Sequence, residues 1–418
     1  MTETTAQRRS VLRHPDFAWF WASSLVSNTG MWMSNLTMPV VLYQITGSAL
    51  WVGIFSVANF LPSILLTPLG GVWADRYDRR ILMMLTQLGM GVAGASLWLM
   101  LLFGVREPAL LLLPVVVNGA FGGLNGPSFM AFINDLVPRD ELRAAVTINS
   151  IQFNIARAFG PMVAGLLLVT TGPAWALFVN FLTYLLVVVV LLFIRARTPQ
   201  VLVKHESKML VEMRKAAAYM RTQRGIMLAI YAGIAGAIFG QPLHAFSVVL
   251  AHTVYHVDEF KLGMINALLS LGAILSIPLL SGRARRFPLS RAVAWGLGGS
   301  AAGIIALSII PSYEIALPVF VFTGASMILV MAGTNTVIQL IVRNDLRGRV
   351  LALRQISFMS GIPIGAVLGG WASDAIGVQP YLMWTGLALI VVLVAMRYLP
   401  AGGFTSMDDP HDAAEPQA

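Results

Sequence analysis

No cysteine occurs in the 418 residues. That excludes a disulfide framework, a thiolate nucleophile and a cysteine-ligated metal. Charge is scarce as well: Asp, Glu, Lys and Arg make up 11% of the chain, against about 25% in soluble domains. Acids are the scarcer sign, 19 against 28 bases, and lysine supplies only 4 of those bases. The 6 histidines are scattered, without metal-ligand spacing such as H-E-x-x-H. No G-x-x-x-x-G-K-[ST] phosphate loop is present and no lysine follows a glycine, which argues against direct nucleotide drive. From Phe17 to Trp73 there is no acid or base at all.

What fills the chain instead is apolar. Hydrophobic residues are 57% and the mean hydropathy is +0.76, above the roughly 45–50% apolar share of soluble domains. About 20 apolar residues cross a bilayer as a helix, so the lipid bilayer is an expected partner. The uncharged run 17–74 suits two crossings, with a turn at "QITGS" (44–48). Further segments lie at 81–105 and 108–134, and 144–194 reads as two more around "TTGP" (170–173). Six more follow, at 226–251, 262–281, 292–312, 315–341, 350–373 and 376–396. The expected class is an all-α membrane protein with twelve transmembrane helices in two pseudo-symmetric six-helix bundles. Its parts are an N-terminus 1–16, a bundle 17–194, a linker 195–225 with an amphipathic helix over 207–222, a bundle 226–399 and an acidic tail 400–418, expected disordered. "RRSVLR" (8–13) faintly resembles a twin-arginine signal, but no small-residue cleavage site ends the apolar stretch after it.

Charge placement tests this count. With twelve crossings, 24 of the 28 Lys/Arg residues fall on the face that carries the termini and the linker, as the positive-inside rule expects of a cytoplasmic face. Only Arg106 and Lys261 fall opposite, and Arg157 and Arg354 remain inside helices. The net charge of +9 then reflects topology, and no nucleic acid is expected as a partner. The halves also resemble each other. An offset of 205 pairs Gly119 with Gly324, Leu136 with Ile341 and Val137 with Val342. Duplicated bundles suit alternating access, with a small-molecule substrate held between halves that rock. The expected energy source is an ion or substrate gradient, with no cofactor. A bacterial inner-membrane location and a monomer are expected.

In this oily chain "ADRYDRR" (74–80) gathers five charges. Together with "GVW" before it, the stretch resembles the signature of the major facilitator superfamily between the second and third helices, and the resemblance covers about residues 10–400. Asp78 stands where a second glycine is usual. That replacement, with "LVPRDELRAAVTINS" and "FNIARAFGPMVAG", is similar to the subgroup containing the enterobactin exporter and the transmembrane secretion effectors. The resemblance implies a conformational latch made of Gly71, Asp75, Arg76, Arg79 and Arg80, joined by Asp135 at the end of the fourth crossing. Asp75 ends a helix and can face the N-terminus of a helix from the other half; alternatively the arginines only anchor topology. The second-half copy, "PLLSGRARR" (278–286), has no acid, so an asymmetric latch is expected.

Arg157 lies about twelve residues, roughly 18 Å, into the fifth crossing. A charge there should face the interior and have a partner. It either binds or gates substrate, or ties down the bend expected at Gly160, Pro161 and Gly165, where "GPMVAG" resembles the antiporter signature. Arg354 is a few residues into the eleventh crossing, where it can snorkel to the surface. The family resemblance points to crossings 1, 4, 7 and 10 as path-lining. Their polar residues are Asn28, Trp32 and Asn35, Asn118 and Asn125, Gln241 and His244, and Asn335 and Gln339. Each either lines a substrate path or joins helices. His244 either titrates near neutrality or is hydrogen-bonded within the bundle. No paired acids or metal cluster mark an active site, so no enzyme is expected. The expected function is export of an amphipathic small molecule, siderophore-like or drug-like, coupled to protons by analogy. Uptake of a small organic solute by the same fold is the alternative.

Overall fold

The computed structural model describes residues 11–194, 209–276, 288–398 and 403–408. Among them every regular element is helical. The chain runs α1 (Pro15–Thr46), α2 (Ala49–Arg76), α3 (Arg79–Leu102), α4 (Pro108–Leu136), α5 (Leu142–Thr170) and α6 (Pro173–Phe193). The linker helix α7 (Met209–Thr222) follows. The seventh span is broken into α8 (Arg224–Ala235), a π-helical segment Gly236–Gly240 and α9 (Leu243–Thr253). Then come α10 (Glu259–Ser276), α11 (Leu289–Ile309), α12 (Tyr313–Ile341), α13 (Arg347–Ile376) and α14 (Val378–Tyr398).

Local chemistry explains the boundaries. Proline opens α1, α4 and α6, where its missing N–H costs nothing and its fixed φ suits the first turn. α1 ends on Gly47, in the left-handed region at φ 66°, with its amide on the Tyr43 carbonyl at 2.7 Å. That cap is the "QITGS" turn. Among the described residues eleven helices are long and apolar enough to cross a membrane, the broken seventh span counting as one. α1 is a further long helix of 32 residues, but its serines and asparagines keep it less oily.

The chain forms two compact units. Unit 1 holds residues 1–47, 55–204 and 258–267, and unit 2 holds 48–54, 205–257 and 268–418. The grouping in space therefore departs from the division by chain order at 195–225. The first turns of α2 belong to unit 2, because Asp374 of α13 caps them and Gly53 packs on the Ala366 backbone. The first turns of α10 belong to unit 1, where Gly165 packs on the Glu259 backbone and Gln44 donates to Glu259 at 2.7 Å.

Within each unit the packing repeats. In unit 1, α3 lies along α4 and α6, and α1 along α5. In unit 2, α11 lies along α12 and α14, and the seventh span along α13. The sequence pair Gly119 and Gly324 has one physical cause: a Cβ on Gly119 would strike the Asn59 carbonyl, and one on Gly324 the Leu269 carbonyl. Each glycine lets two helix backbones touch. The core of unit 1 gathers Phe17, Phe20, Phe132, Ile133, Val187 and Leu191, beneath the charged turn after α2.

Two expectations are corrected here. The tail is not structureless throughout: Gly403–Met407 form a 3-10 turn against α8 and α11, with Ser406 and Met407 buried. Asp408 then caps α11, accepting from the Ser290 amide at 3.0 Å and from the Ser290 hydroxyl. Composition misses this because one buried methionine and one capping acid are enough to hold a short segment. Arg354 does not snorkel. It is 7% exposed, and its Nη2 donates inward to the Met331 carbonyl at 2.7 Å and to Thr334 Oγ1 at 3.3 Å. Residues 1–10, most of the linker before α7, the degenerate second-half motif at 278–286 and the rest of the tail lie outside the described residues.

Candidate functional site

The charged turn after α2 divides into two parts. Asp78 caps α3, its Oδ1 accepting from the Arg80 amide at 2.9 Å and the Ile81 amide at 3.2 Å. An acid there satisfies two helix N–H groups that a glycine would leave to water, which accounts for the departure from the superfamily pattern. Arg79 donates to the Ala74 carbonyl at 3.0 Å, the Ala131 carbonyl at 3.4 Å and Asp135 at 2.9 Å. Arg80 donates to the carbonyls of Leu191 at 2.6 Å and Leu192 at 2.8 Å. The Ala74, Leu191 and Leu192 carbonyls sit in the last turns of α2 and α6, where helices lack internal donors and carry partial negative charge, and Ala131 lies just before the last turn of α4. Two arginines thus clamp three helix ends. The pair with Asp135, whose side chain is 6% exposed, supplies the counter-charge such a buried contact requires.

The other half of the turn faces out. Asp75, Arg76 and Tyr77 are exposed, and Asp75 makes no hydrogen bond or ion pair among the described residues. Gly71 has open space around it, and the tight approach belongs to its neighbour Gly70, which lies on the Gly123–Leu124 backbone. At the opposite end of α2, Asp374 accepts from the Ser48 hydroxyl, from the Ala49 amide at 2.6 Å and from the Leu50 amide at 3.1 Å. All of these residues belong to unit 2.

Several path candidates join helices within unit 1. Asn28 donates to Gln152 at 3.3 Å, Asn59 donates to Asn35 at 3.4 Å, Asn118 donates to the Tyr184 hydroxyl at 3.4 Å, and Thr86 donates to Asn125 at 2.9 Å. Trp32 stacks edge-on against Phe153 with ring centroids 5.9 Å apart. A Cβ on Gly160 would come 2.5 Å from the Trp32 Cβ and 2.9 Å from the Thr29 carbonyl, so that glycine lets α1 close on α5. Pro161 and Gly165 are buried in the same helix, where Arg157 is partly buried. In unit 2, Gln241 closes the π-helical segment, its amide reaching back to the Gly236 carbonyl at 3.0 Å. His244 follows one turn later, its amide on the Gln241 carbonyl at 3.1 Å. Asn335 is partly buried and Gln339 exposed, and neither side chain is hydrogen-bonded among the described residues. Sequence reasoning missed Gln152, which is fully buried and five residues before Arg157, and it missed Ser48 as the partner of Asp374. Among the described residues no three His, Asp or Glu side chains gather where they could hold a metal.

A family model described as transmembrane secretion effector matches residues 7–416. The chain belongs to that family. It is an MFS-fold, multi-pass membrane protein, and its family and fold are those of transporters, not enzymes. Over 384 residues, 89% of this chain and 90% of the relative, it is 24% identical to the uncharacterised MFS-type transporter YfiS of Bacillus subtilis. Over 164 residues it is 29% identical to the enterobactin exporter EntS of Shigella flexneri; that match spans 39% of this chain and 40% of the exporter. Among solved structures it is similar to a bacterial homologue of the lysosomal transporter Spinster, inward-facing and unoccupied, with TM-score 0.76 and 17% identity over 96% of this chain and 99% of that one. It is also similar to a D-xylose–proton symporter, with TM-score 0.71 and 14% identity over 93% and 99%. At those identities the structures speak for the fold alone.

Proposed function

We propose that this secretion-effector family member exports an amphipathic small molecule, siderophore-like or drug-like, across the bacterial inner membrane by alternating access. The proton gradient drives it, both termini face the cytoplasm, and the monomer is the working unit. The observation that carries this reading is the similarity to the enterobactin exporter. Arg157 supports it chemically. A guanidinium deep in an apolar helix is retained for function more often than for stability, and it suits an anionic or phenolic oxygen on the cargo. Asn335 and Gln339 offer further polar contacts, whereas Asn28, Asn35, Asn118 and Asn125 are engaged between helices. Asp75 is the moving part of the latch, since Arg79 and Arg80 already serve as a fixed clamp.

The test is transport into inverted membrane vesicles, across a panel of catecholate siderophores and cationic dyes, with an imposed pH gradient. Gradient-dependent accumulation is expected. Arg157→Ala should abolish transport of the anionic members while the protein remains folded. Accumulation only in right-side-out vesicles would make the protein an importer. Transport of every member unchanged by Arg157→Ala would overturn the role of that residue.

A further inference from the structure

A hollow opens at the end of unit 1 opposite the charged turn. Its walls include Gln44 and Ile45 at the close of α1, Leu101 and Arg106 around the end of α3, and Thr171 and Trp175 where α5 gives way to α6. All of these belong to unit 1. Gly104 and Gly172 also line it. Both take the left-handed backbone, at φ 75° and φ 87°, which keeps the two turns short and puts no side chain into the space. The hollow leaves about 530 Å³ for the centre of a water-sized particle, within the roughly 300–1,000 Å³ of small-molecule sites.

Arg106 supplies the charge. It is exposed and makes no hydrogen bond or ion pair among the described residues. Two acids stand nearby, neither among the walls: Glu107 is exposed, and Glu259 accepts from Gln44 at 2.7 Å. The topology leaves only Arg106 and Lys261 expected at this end, so an arginine here runs against the general bias of the chain. Trp175 supplies a flat apolar wall. It is braced by Phe178, edge-on with ring centroids 5.6 Å apart, and by Trp98 of α3 at 6.5 Å. Tryptophan at a helix end is typical of the membrane–water interface.

Two oily stripes lead away from the hollow. Along α3, Ile81, Leu85, Leu88, Val92, Leu99 and Leu102 are exposed, at spacings that place them on one helix face. Along α6, Trp175, Leu182, Leu186, Val189 and Phe193 repeat the pattern. The two helices pack along each other. An exposed, uncharged stripe running the length of a membrane-spanning helix faces acyl chains. Each stripe ends in a wall of the hollow, at Leu102 and at Trp175.

We infer that the hollow seats the headgroup of a membrane phospholipid. Arg106 meets the phosphate, Trp175 lies against the glycerol esters, and the acyl chains follow the stripes of α3 and α6. A guanidinium offers the planar fork of donors that phosphate oxygens accept, and basic pockets between membrane helices recognise headgroups in this way. A soluble anion would gain the arginine without the stripes, and a neutral lipid the stripes without the arginine. The site rests on neither the cargo nor the direction of export. Binding reads it out, so its failure would leave the export reading untouched.

The experiment is thermal unfolding of the purified full-length protein in a neutral detergent, titrated with dioctanoyl phosphatidylglycerol. A saturable rise of the midpoint is expected. Glycerol phosphate, which has the charge without the chains, and dioctanoylglycerol, which has the chains without the phosphate, should leave the midpoint unchanged. Arg106→Gln should raise the half-saturating lipid concentration at least about tenfold, and Trp175→Leu about threefold. Both side chains are exposed, so both variants should fold. Arg139→Gln, exposed at the other end of the unit, should bind as the parent does. No rise with the phospholipid would overturn the proposal. An equal rise with glycerol phosphate would make this a free-anion site, and one with dioctanoylglycerol an apolar groove; either contradicts it. So would a lipid effect that survives Arg106→Gln, or one lost equally in Arg139→Gln.

Discussion

The two ends of α2 are treated differently. At its first turn, the Asp374 carboxylate takes two backbone amides and the Ser48 hydroxyl. At its last turn, Arg79 holds the Ala74 carbonyl while Asp75, the next residue, is exposed and bonded to nothing described. Both acids end a helix, Asp75 on α2 and Asp374 near the end of α13. Asp374 has found the N-terminus of a second helix, the place where a carboxylate is most stabilised. One helix thus meets a seated carboxylate at its first turn and carries an exposed one at its last.

The clamp and the exposed acid should separate cleanly under mutation. The largest effect belongs to Arg79→Ala, which takes the arginine away from the buried Asp135 and from carbonyls of α2 and α4. A loss of about 3–5 kcal/mol is expected, read as a lowered unfolding temperature and poor recovery from membranes. Asp374→Ala should cost less, about 1–3 kcal/mol in favour of the contact it removes. It should raise labelling of a cysteine placed at Leu50, and the native absence of cysteine makes that measurement clean. Asp75→Asn should change stability by under about 0.5 kcal/mol, so any change in transport or labelling reports on the balance of states. A stability loss comparable to Arg79→Ala would merge the two halves of the turn again.

The smallest effect concerns α7. A hydrogen bond from Lys215 at 2.9 Å, with Arg349 at 2.8 Å adding its charge, holds the Glu212 carboxyl below its usual range. A depressed carboxylate pKa contributes attachment that is complete above the unfolded value, about 4.3. The attachment is lost as the pH falls through the lower folded value. Hydrogen exchange in α7 should therefore be flat from pH 8 to 5 once corrected for intrinsic rates, and loosen only below that. Glu212→Gln should remove the acid-side change.

Much of the helical framework is legible in the sequence because long uncharged runs and first-turn prolines mark it directly. The repeat is legible too, since Gly119 and Gly324 sit at equivalent backbone crossings. The roles within the charged turn are less so. Arg79 and Arg80 find their partners mainly on backbone carbonyls of α2, α4 and α6, and carbonyls carry no residue signature. Asp374 reads as one more acid near a helix end, because its partners lie 324 to 326 residues away. Arg354 reads as a snorkelling cation by its place in the chain, yet Met331 and Thr334 draw it inward. Helical spacing assigns the polar residues of α1 and α4 to shared faces, but whether such a face meets a path or another helix depends on packing that no single helix encodes.

The latch proposal extends to both ends of α2: Asp75 and Asp374 are proposed to bias the working state in opposite directions. Its most direct test is single-cysteine labelling at Leu50→Cys and at Tyr77→Cys, each combined with Asp374→Asn or Asp75→Asn, in native membranes. Asp374→Asn should raise labelling at position 50 and lower it at position 77, and Asp75→Asn should do the reverse. Changes of the same sign in both variants, or no change in either, would contradict the account.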